Sequence, residues 1–412
     1  MSRRRVVVTG LGTTSPVGGD VPTTWQALIS GTSGVRDLGE EWADQPVRIA
    51  GRAAVEPTDV LDRVVARRLD RSAQFAMVAA IEAWADAGLT DGDVDGERLG
   101  VAIASGIGGV TTLLDQHDVL KERGPRRLSP LAVPMLMANA PAANVGLLLG
   151  ARAGVHTPVS ACASGNEGIA LALDQIRLGR ADVMVAGGTE AAIHALPMAA
   201  FAQMMALSKT ASGPEGGDPT TVSRPWDTAR DGFVLGEGAG VLVLEELGHA
   251  QARGARIYAE VLGSGHTNDA ASLVSPTGSG AVECIGDAIA DAGIDPAAIV
   301  HVNAHGTGTL VNDLREAEAL HQVFGDRPPP VSSIKRTLGH AAGASGAFEA
   351  VAAALTVHTG IAPSLGTDVQ PDPALDLDLV IGPPRRVGHG PVLSNSFGLG
   401  GANGTLILGP VG

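Results

Sequence analysis

The stretch His156–Leu173, HTPVSACASGNEGIALAL, decides how the chain is read. It sets Cys162, one of only 2 cysteines in 412 residues, in a run of Ser, Ala and Gly just before an apolar helical repeat. A thiol at a helix N-terminus meets unpaired backbone N–H groups and the positive end of the helix dipole, and both favour the thiolate. Small neighbours leave room for a substrate carbonyl to approach. A buried, inert cysteine is the plain alternative. That plain reading applies to Cys284, which sits in the helical pattern AVECIGDAIADAG.

Outward from this stretch, strands alternate with helices. RRVVVTGLGTTSPVG reads as a strand followed by a Gly-rich turn, and DRSAQFAMVAAIEAWADAG (70–88) as a helix with a Gly stop. RLGVAIASGIGG (98–109), ADVMVAGGTEA (181–191) and GAGVLVLEEL (238–247) read as strands. The region from about Ser208 to Gly232 holds SRPWDTARDGF and reads as an ordered loop, and ARIYAEVLGSGHTND begins as a strand before a helix over Gly280–Gly293. PVLSNSFGLGGANGTLIL closes the chain as two strands around a Gly-rich turn. Such alternation predicts an α/β fold with covered sheets. SACASGNEGIALALDQIRLG (160–179) and LGHAAGASGAFEAVAAALTVHTG (338–360) both run from a small-residue turn into an Ala-rich helix, which suits a duplicated fold.

Hydrophobic residues make up 44% of the chain and charged ones 18%, enough for a large core. A net charge of -15 argues against general nucleic-acid binding, so an acidic partner needs a local basic patch. Two cysteines make no disulfide framework, and MSRRRVVVTG lacks the long apolar core of a signal peptide. A cytoplasmic protein is expected. Residues 131–150 carry no charge, but their prolines and asparagines would strand polar groups in lipid, so a buried pocket or an interface is expected instead of a membrane span. The N-terminal glycines lack the full spacing of a dinucleotide fingerprint.

Two histidines share the setting of Cys162. His305 lies in VNAHGTGTLVND after an apolar strand, and His340 in SSIKRTLGHAAGASGAFEA at the mouth of an Ala-rich helix. Both stand at junctions among small residues, where a side chain can face a substrate. Lys335 and Glu349 flank His340; from sequence alone they are a surface lysine and a helix-face glutamate, or a buried ion pair.

VSACASG, NAHGTGT, KxxxxGHxxGASG and NSFGLGG, in this order, resemble the elongating β-ketoacyl-acyl carrier protein synthases over nearly the whole chain. The resemblance implies the thiolase fold, a duplicated five-layer α-β-α-β-α sandwich, with an N-terminal half over 1–250 and a C-terminal half over 251–412. It implies that Cys162 accepts an acyl chain from the phosphopantetheine arm of acyl carrier protein. Malonyl-carrier protein then loses carbon dioxide, and its enolate attacks the thioester to give a β-ketoacyl chain two carbons longer. By the same resemblance His305 and His340 donate hydrogen bonds to the enolate oxygen in their neutral form, and Lys335, paired with Glu349, orients them. Thr307 and Thr309 hold the pantetheine arm. The backbone N–H groups of Cys162 and Leu399 form the oxyanion hole, with Phe397 and Leu399 in the gate. Arg67, Arg68, Arg126 and Arg127 are candidates for docking the acidic carrier protein. No bound cofactor or metal is implied, and the expected assembly is a homodimer or a heterodimer with a chain-length-factor-like subunit.

The chain departs from the family pattern in places. The usual GFGG gate reads GLGG, with Leu399 at the Phe position. HGTGTLVND and SSIK lean toward type II polyketide ketosynthase subunits, while SGIGGVTTLLDQ and VSACASG lean toward fatty-acid enzymes. A type II polyketide or specialised fatty-acid pathway is therefore expected, with housekeeping elongation as the alternative. Initiating condensing enzymes use a Cys-His-Asn site, against His340 here. Chain-length-factor-like partners lack the nucleophile that Cys162 supplies.

Overall fold

The computed structural model describes residues 3–210 and 217–412. Ten strands carry the architecture: β1 (Val6–Thr14), β2 (Leu99–Ala104), β3 (Val155–His156), β4 (Val183–Glu190), β5 (Gly238–Glu246), β6 (Ala259–Asn268), β7 (His301–Asn303), β8 (Val331–Ser332), β9 (Val392–Phe397) and β10 (Ala402–Gly409). Hydrogen bonding orders them β8-β7-β9-β10-β6-β1-β5-β4-β2-β3. The order contains one wiring used twice. In the first half β1 pairs antiparallel with β5, and β5 antiparallel with β4; β4 then pairs parallel with β2, and β2 parallel with β3. In the second half β6, β10, β9, β7 and β8 repeat the same four pairings. The halves meet where β1 and β6 run antiparallel at Val7↔Glu260 and Val8↔Ala259.

Five helices complete the layers: α1 (Arg71–Asp86), α2 (Ser164–Arg177), α3 (Ser279–Ala292), α4 (Leu310–Phe324) and α5 (Ser345–Thr359). α1 covers β1 and β5 from outside, and α3 covers β6 and β10. α2 and α5 pack on strands of both halves and so form the middle layer of an α-β-α-β-α sandwich. Strands covered on both faces are apolar without alternation, and β1, β2, β4 and β5 are buried nearly throughout. α5 is buried from Ser345 to Val357, which its small side chains permit. We propose 250/251 as the division between halves: β1–β5 precede it and β6–β10 follow.

Two expectations change. The Gly-rich turn expected after VVV does not form, because β1 continues through both glycines to Thr14. These glycines are there for contact with α1: a Cβ on Gly10 would lie 2.1 Å from Ala83 O, and one on Gly12 1.9 Å from Ala79 O. Of the two expectations for residues 131–150, the buried pocket does not form, and the interface remains an expectation. The segment folds as short helices with Val133 64% and Leu147 81% exposed. The loop expected over Ser208–Gly232 carries no strand where it is described; residues 211–216 of it lie outside the described residues. No helix among the described residues is long and apolar enough to cross a membrane.

Gly12→Ala forces a methyl group into the backbone of α1. Overpacking of this kind is expected to cost about 3 kcal/mol, read as a lower urea midpoint with an unchanged slope.

Candidate active site

The chain turns from β3 into α2 through a tight elbow. Ala161 adopts a left-handed backbone with φ 51, and Ala161–Ala163 form a single 3-10 turn before α2. Ser164 closes the elbow, its hydroxyl accepting from Ser160 N at 2.9 Å and donating to Ala161 O at 2.6 Å. The second half repeats it. Ala342 has φ 40, Ala342–Ala344 form the 3-10 turn, and Ser345 Oγ accepts from Ala341 N at 3.0 Å. Gly343 stands where the first elbow has Cys162, and a Cβ there would lie 2.2 Å from Gly106 N. Only the first elbow has room for a thiol; the second presents the residue before it, His340.

His340 is fixed at four points. Its N–H donates to Val234 O at 2.7 Å, and its carbonyl accepts from Gly236 N at 2.9 Å. Nδ1 lies 2.8 Å from Ser345 Oγ and Nε2 lies 3.0 Å from Cys162 Sγ. With the Ser345 hydroxyl donating to Nδ1, the N–H of the neutral ring sits on Nε2 and faces the sulfur.

His305 leaves β7 on a loop held from behind by two carboxylates of α4. Glu316 accepts from His305 N at 2.8 Å and Gly306 N at 2.7 Å. Asp313 accepts from Thr307 N at 3.1 Å, Gly308 N at 3.2 Å and Trp226 N at 2.8 Å. Lys335 Nζ donates to His305 O at 2.6 Å and pairs with Glu349; both side chains are buried, at 2% and 0% exposure. Ser396 Oγ donates to Glu349 Oε2 at 3.1 Å. Of the two readings left open by the sequence, the buried pair is the one the structure has. The two imidazoles meet edge to face with centroids 5.3 Å apart, and the Phe397 ring lies 5.8 Å from His305.

Burial governs the protonation states. It holds both His305 and His340 well below the usual imidazole range, and the Lys335 ammonium adds to this, so both rings are neutral. The thiolate expected for Cys162 is not the resting state. Burial pushes the thiol up to about 11, outweighing the opposing pull of Lys335 and of the Leu399 N–H directed at the sulfur. Burial likewise pushes Glu316 and Glu349 up to about 7 and Asp313 to about 6.

A cavity of about 320 Å³ opens over Cys162, His305 and His340. Thr307 and Thr309 line one wall, their hydroxyls 3.0 Å apart; Phe397 and Leu399 also line the cavity, and Leu399 is 41% exposed. Arg67, Arg68, Arg126 and Arg127 are exposed, and none lines this cavity. Among the described residues no cluster of His, Cys, Asp or Glu is arranged to hold a metal ion. Cys284 is buried, its Sγ donating to Gly265 O at 3.2 Å. The sequence reading missed Glu316, the carboxylate role of Asp313, and Trp226 and Ser345. The one available signal was two acids, Asp313 and Glu316, on the same face of α4 as the apolar Ala317 and Leu320.

The N-terminal domain model of beta-ketoacyl synthases matches residues 3–250 and the C-terminal domain model residues 258–367. The chain is 42% identical to the 3-oxoacyl-[acyl-carrier-protein] synthase 2 of Coxiella burnetii, covering 100% of both chains. It is also 42% identical to that of Staphylococcus aureus, over 98% of each. Among solved structures, the ishigamide ketosynthase/chain length factor superposes with a TM-score of 0.91 at 34% identity, over 100% of both chains. A type II polyketide acyl-carrier protein in complex with its ketosynthase bound to the hexaketide superposes equally well, at a TM-score of 0.91 and 31% identity, again over 100% of both.

Lys335→Met leaves Glu349 buried without its cation. The expected loss is about 3–5 kcal/mol at pH 8. A carboxylate whose folded pKa is raised favours the fold at low pH and loses that contribution as pH rises through the folded value. The loss is therefore smaller at pH 5.5, where Glu349 takes up a proton. Urea unfolding at both pH values checks this, with Lys335→Met/Glu349→Gln recovering most of the loss at pH 8.

Proposed function

Because the chain belongs to the beta-ketoacyl synthase family of acyltransferase-type condensing enzymes, we propose that it extends an acyl group held on Cys162 by one malonyl-derived unit, as a 3-oxoacyl-acyl carrier protein synthase. The observation that carries this is the convergence of Cys162 Sγ, His340 Nε2 at 3.0 Å and the His305 ring on one cavity.

In the first half-reaction Sγ attacks the acyl-pantetheine thioester. The N–H groups of Cys162 and Leu399 receive the carbonyl oxygen as it gains charge. The carbon–sulfur bond to pantetheine breaks, and the Cys162 proton ends on the departing thiol. The Nε2–H of His340 stabilises the charge that develops on Sγ during attack, so a thiol resting near 11 still reacts. In the second half-reaction the bond between the malonyl carboxylate and C2 breaks. Its electron pair forms an enolate, whose oxygen accepts from His305 and His340. The enolate carbon attacks the acyl carbonyl, and Sγ leaves and takes up a proton. Neutral, buried donors suit this step: they are already in place, and the low local dielectric around them strengthens their hydrogen bonds. Lys335, with Glu349, holds the His305 carbonyl and so the orientation of its ring. Thr307 and Thr309 guide the pantetheine arm, and the substrates arrive on acyl carrier protein.

HGTGTLVND and SSIK favour a type II polyketide or specialised fatty-acid pathway. Full-length similarity to the synthase 2 relatives favours the second reading, housekeeping elongation. Arg67, Arg68, Arg126 and Arg127 supply local positive charge for the carrier protein on a chain of net charge -15. A second subunit, either another copy or a chain-length-factor-like chain, covers the open edge at β3. There the helix Ala140–Leu149 packs against Val155 and leaves Leu147 exposed. An open edge with apolar flanks is a natural pairing surface.

Intact-mass analysis with acyl- and malonyl-carrier protein tests the reaction. The wild type should show an acyl adduct and a β-ketoacyl product; Cys162→Ala should show neither, and a folded wild type that does neither, alone or with a partner subunit, overturns the reading. His305→Ala should still acylate Cys162 while malonyl decarboxylation falls about 10²-fold, the usual loss on removing one preorganised donor. Without reductases, a product several unreduced units longer points to the polyketide pathway, and a single extension to fatty-acid elongation. Leu147→Glu should shift sedimentation from dimer to monomer.

A further inference from the structure

We infer that the segment Ser223–Gly236 is the common mount of both histidines, and that Phe233 in it is a positioning residue that holds the ring of His340 in line with Cys162. The inference rests on the role proposed above for His340. The segment touches each part of the site in turn. Ser223 Oγ donates to the carbonyl of Lys335. Trp226 is fully buried in a left-handed conformation with φ 58, its N–H on Asp313 and its ring under the His305 loop. A Cβ on Gly306 would lie 2.6 Å from that ring. Gly232 N donates to Gly308 O at 3.1 Å, on the same loop. Val234 O and Gly236 N then hold the two backbone groups of His340, at 2.7 and 2.9 Å.

Phe233 lies between these contacts, and its own backbone is pinned as firmly. Its N–H donates to Ala206 O and its carbonyl accepts from Ser208 N, both at 2.9 Å. The backbone therefore cannot carry the ring away from His340 without breaking one of these pairings, and rotation of the ring itself is opposed by the packing around it. Its ring meets the imidazole edge to face, with centroids 5.1 Å apart and planes at 75°. Phe201 backs it at 5.5 Å, so the rings run Phe201, Phe233, His340, His305, Phe397 across the site. The hydrogen bonds to Ser345 and Cys162 locate the two ring nitrogens of His340. The flanks of the ring are held by Phe233 and His305, and the edge-to-face contact resists tilting that would turn Nε2 off the sulfur.

The test is Phe233→Leu, which keeps an apolar side chain and removes the ring edge. The expected result is a fall of about tenfold in kcat for malonyl-carrier protein decarboxylation, with KM within about twofold. Independently of turnover, the pH midpoint of Cys162 alkylation by iodoacetamide should rise by about 0.5 unit, because the donor to the thiolate is loosened. Phe233→Tyr, which restores the ring, should recover both values. If the Leu variant does not fold, Phe233→Met carries the same test. An unchanged kcat, or a raised KM with kcat retained, overturns the inference and makes Phe233 a pocket wall only; so does a Tyr variant as impaired as Leu. A wild type that fails to decarboxylate while the alkylation midpoint shifts as expected overturns the proposed function and leaves the coupling of Phe233 to His340 standing.

Discussion

The starts of α2 and α5 cross so closely that neither tolerates a side chain at the crossing. A Cβ on Gly165 would lie 2.6 Å from Ala347 N, and one on Gly346 2.7 Å from Asn166 Oδ1. The two glycines hold equivalent places, each directly after the serine that closes its elbow. Backbone against backbone fixes the separation of the two helices with little slack, since packed interiors do not deform continuously. Everything at the site inherits that separation. Cys162 lies in the turn that enters α2 and His340 just ahead of the turn that enters α5, so their 3.0 Å contact depends on that separation. The duplicated wiring of the strands serves the same end, because it aims the elbows of the two halves at one place in the middle layer.

Bringing two elbows together in the centre of a five-layer fold has an electrostatic consequence. Lys335, Glu349, Glu316, Asp313 and both histidines are buried. Charge in such a place is costly unless it is paired and hydrogen-bonded. The carboxylates are satisfied mainly by backbone N–H groups and one ammonium; the histidines respond by giving up their protons. The structure thus obtains uncharged donors facing a thiol, with the nearest formal positive charge set behind them on Lys335. The burial that suppresses the imidazolium also suppresses the resting thiolate, so charge on sulfur develops only as a bond forms to it.

Much of this was legible in the residues themselves. The small-residue turn before an apolar helix marked Cys162, the same pattern marked the echo near His340, and the two glycine-rich turns around His305 and Leu399 marked loops that must pass close to something. The strands could be read as buried because they lacked alternation. Other features were legible only in part. The glycines of VVVTGLG suggested a turn, since glycine does favour turns, but in the fold they admit the backbone of α1 and the strand runs on. Residues 131–150, being uncharged, suggested a buried pocket or an interface; Ala142 and Val145 do join the core, while Val133 and Leu147 remain exposed on this chain.

What the sequence determined by itself is local: which residue types could do chemistry, where the chain must turn sharply, and that one pattern occurs twice. Those follow from side-chain chemistry and short-range sterics, which neighbours along the chain settle. Only the tertiary structure decided that Lys335 and Glu349 form a buried pair against His305, that Glu316 and Asp313 hold a loop from behind, that Phe233 flanks His340, and that Cys162 rests as a thiol. Each depends on groups far apart in sequence and on the loss of water around them, and desolvation belongs to a place in the fold, not to a position in the chain.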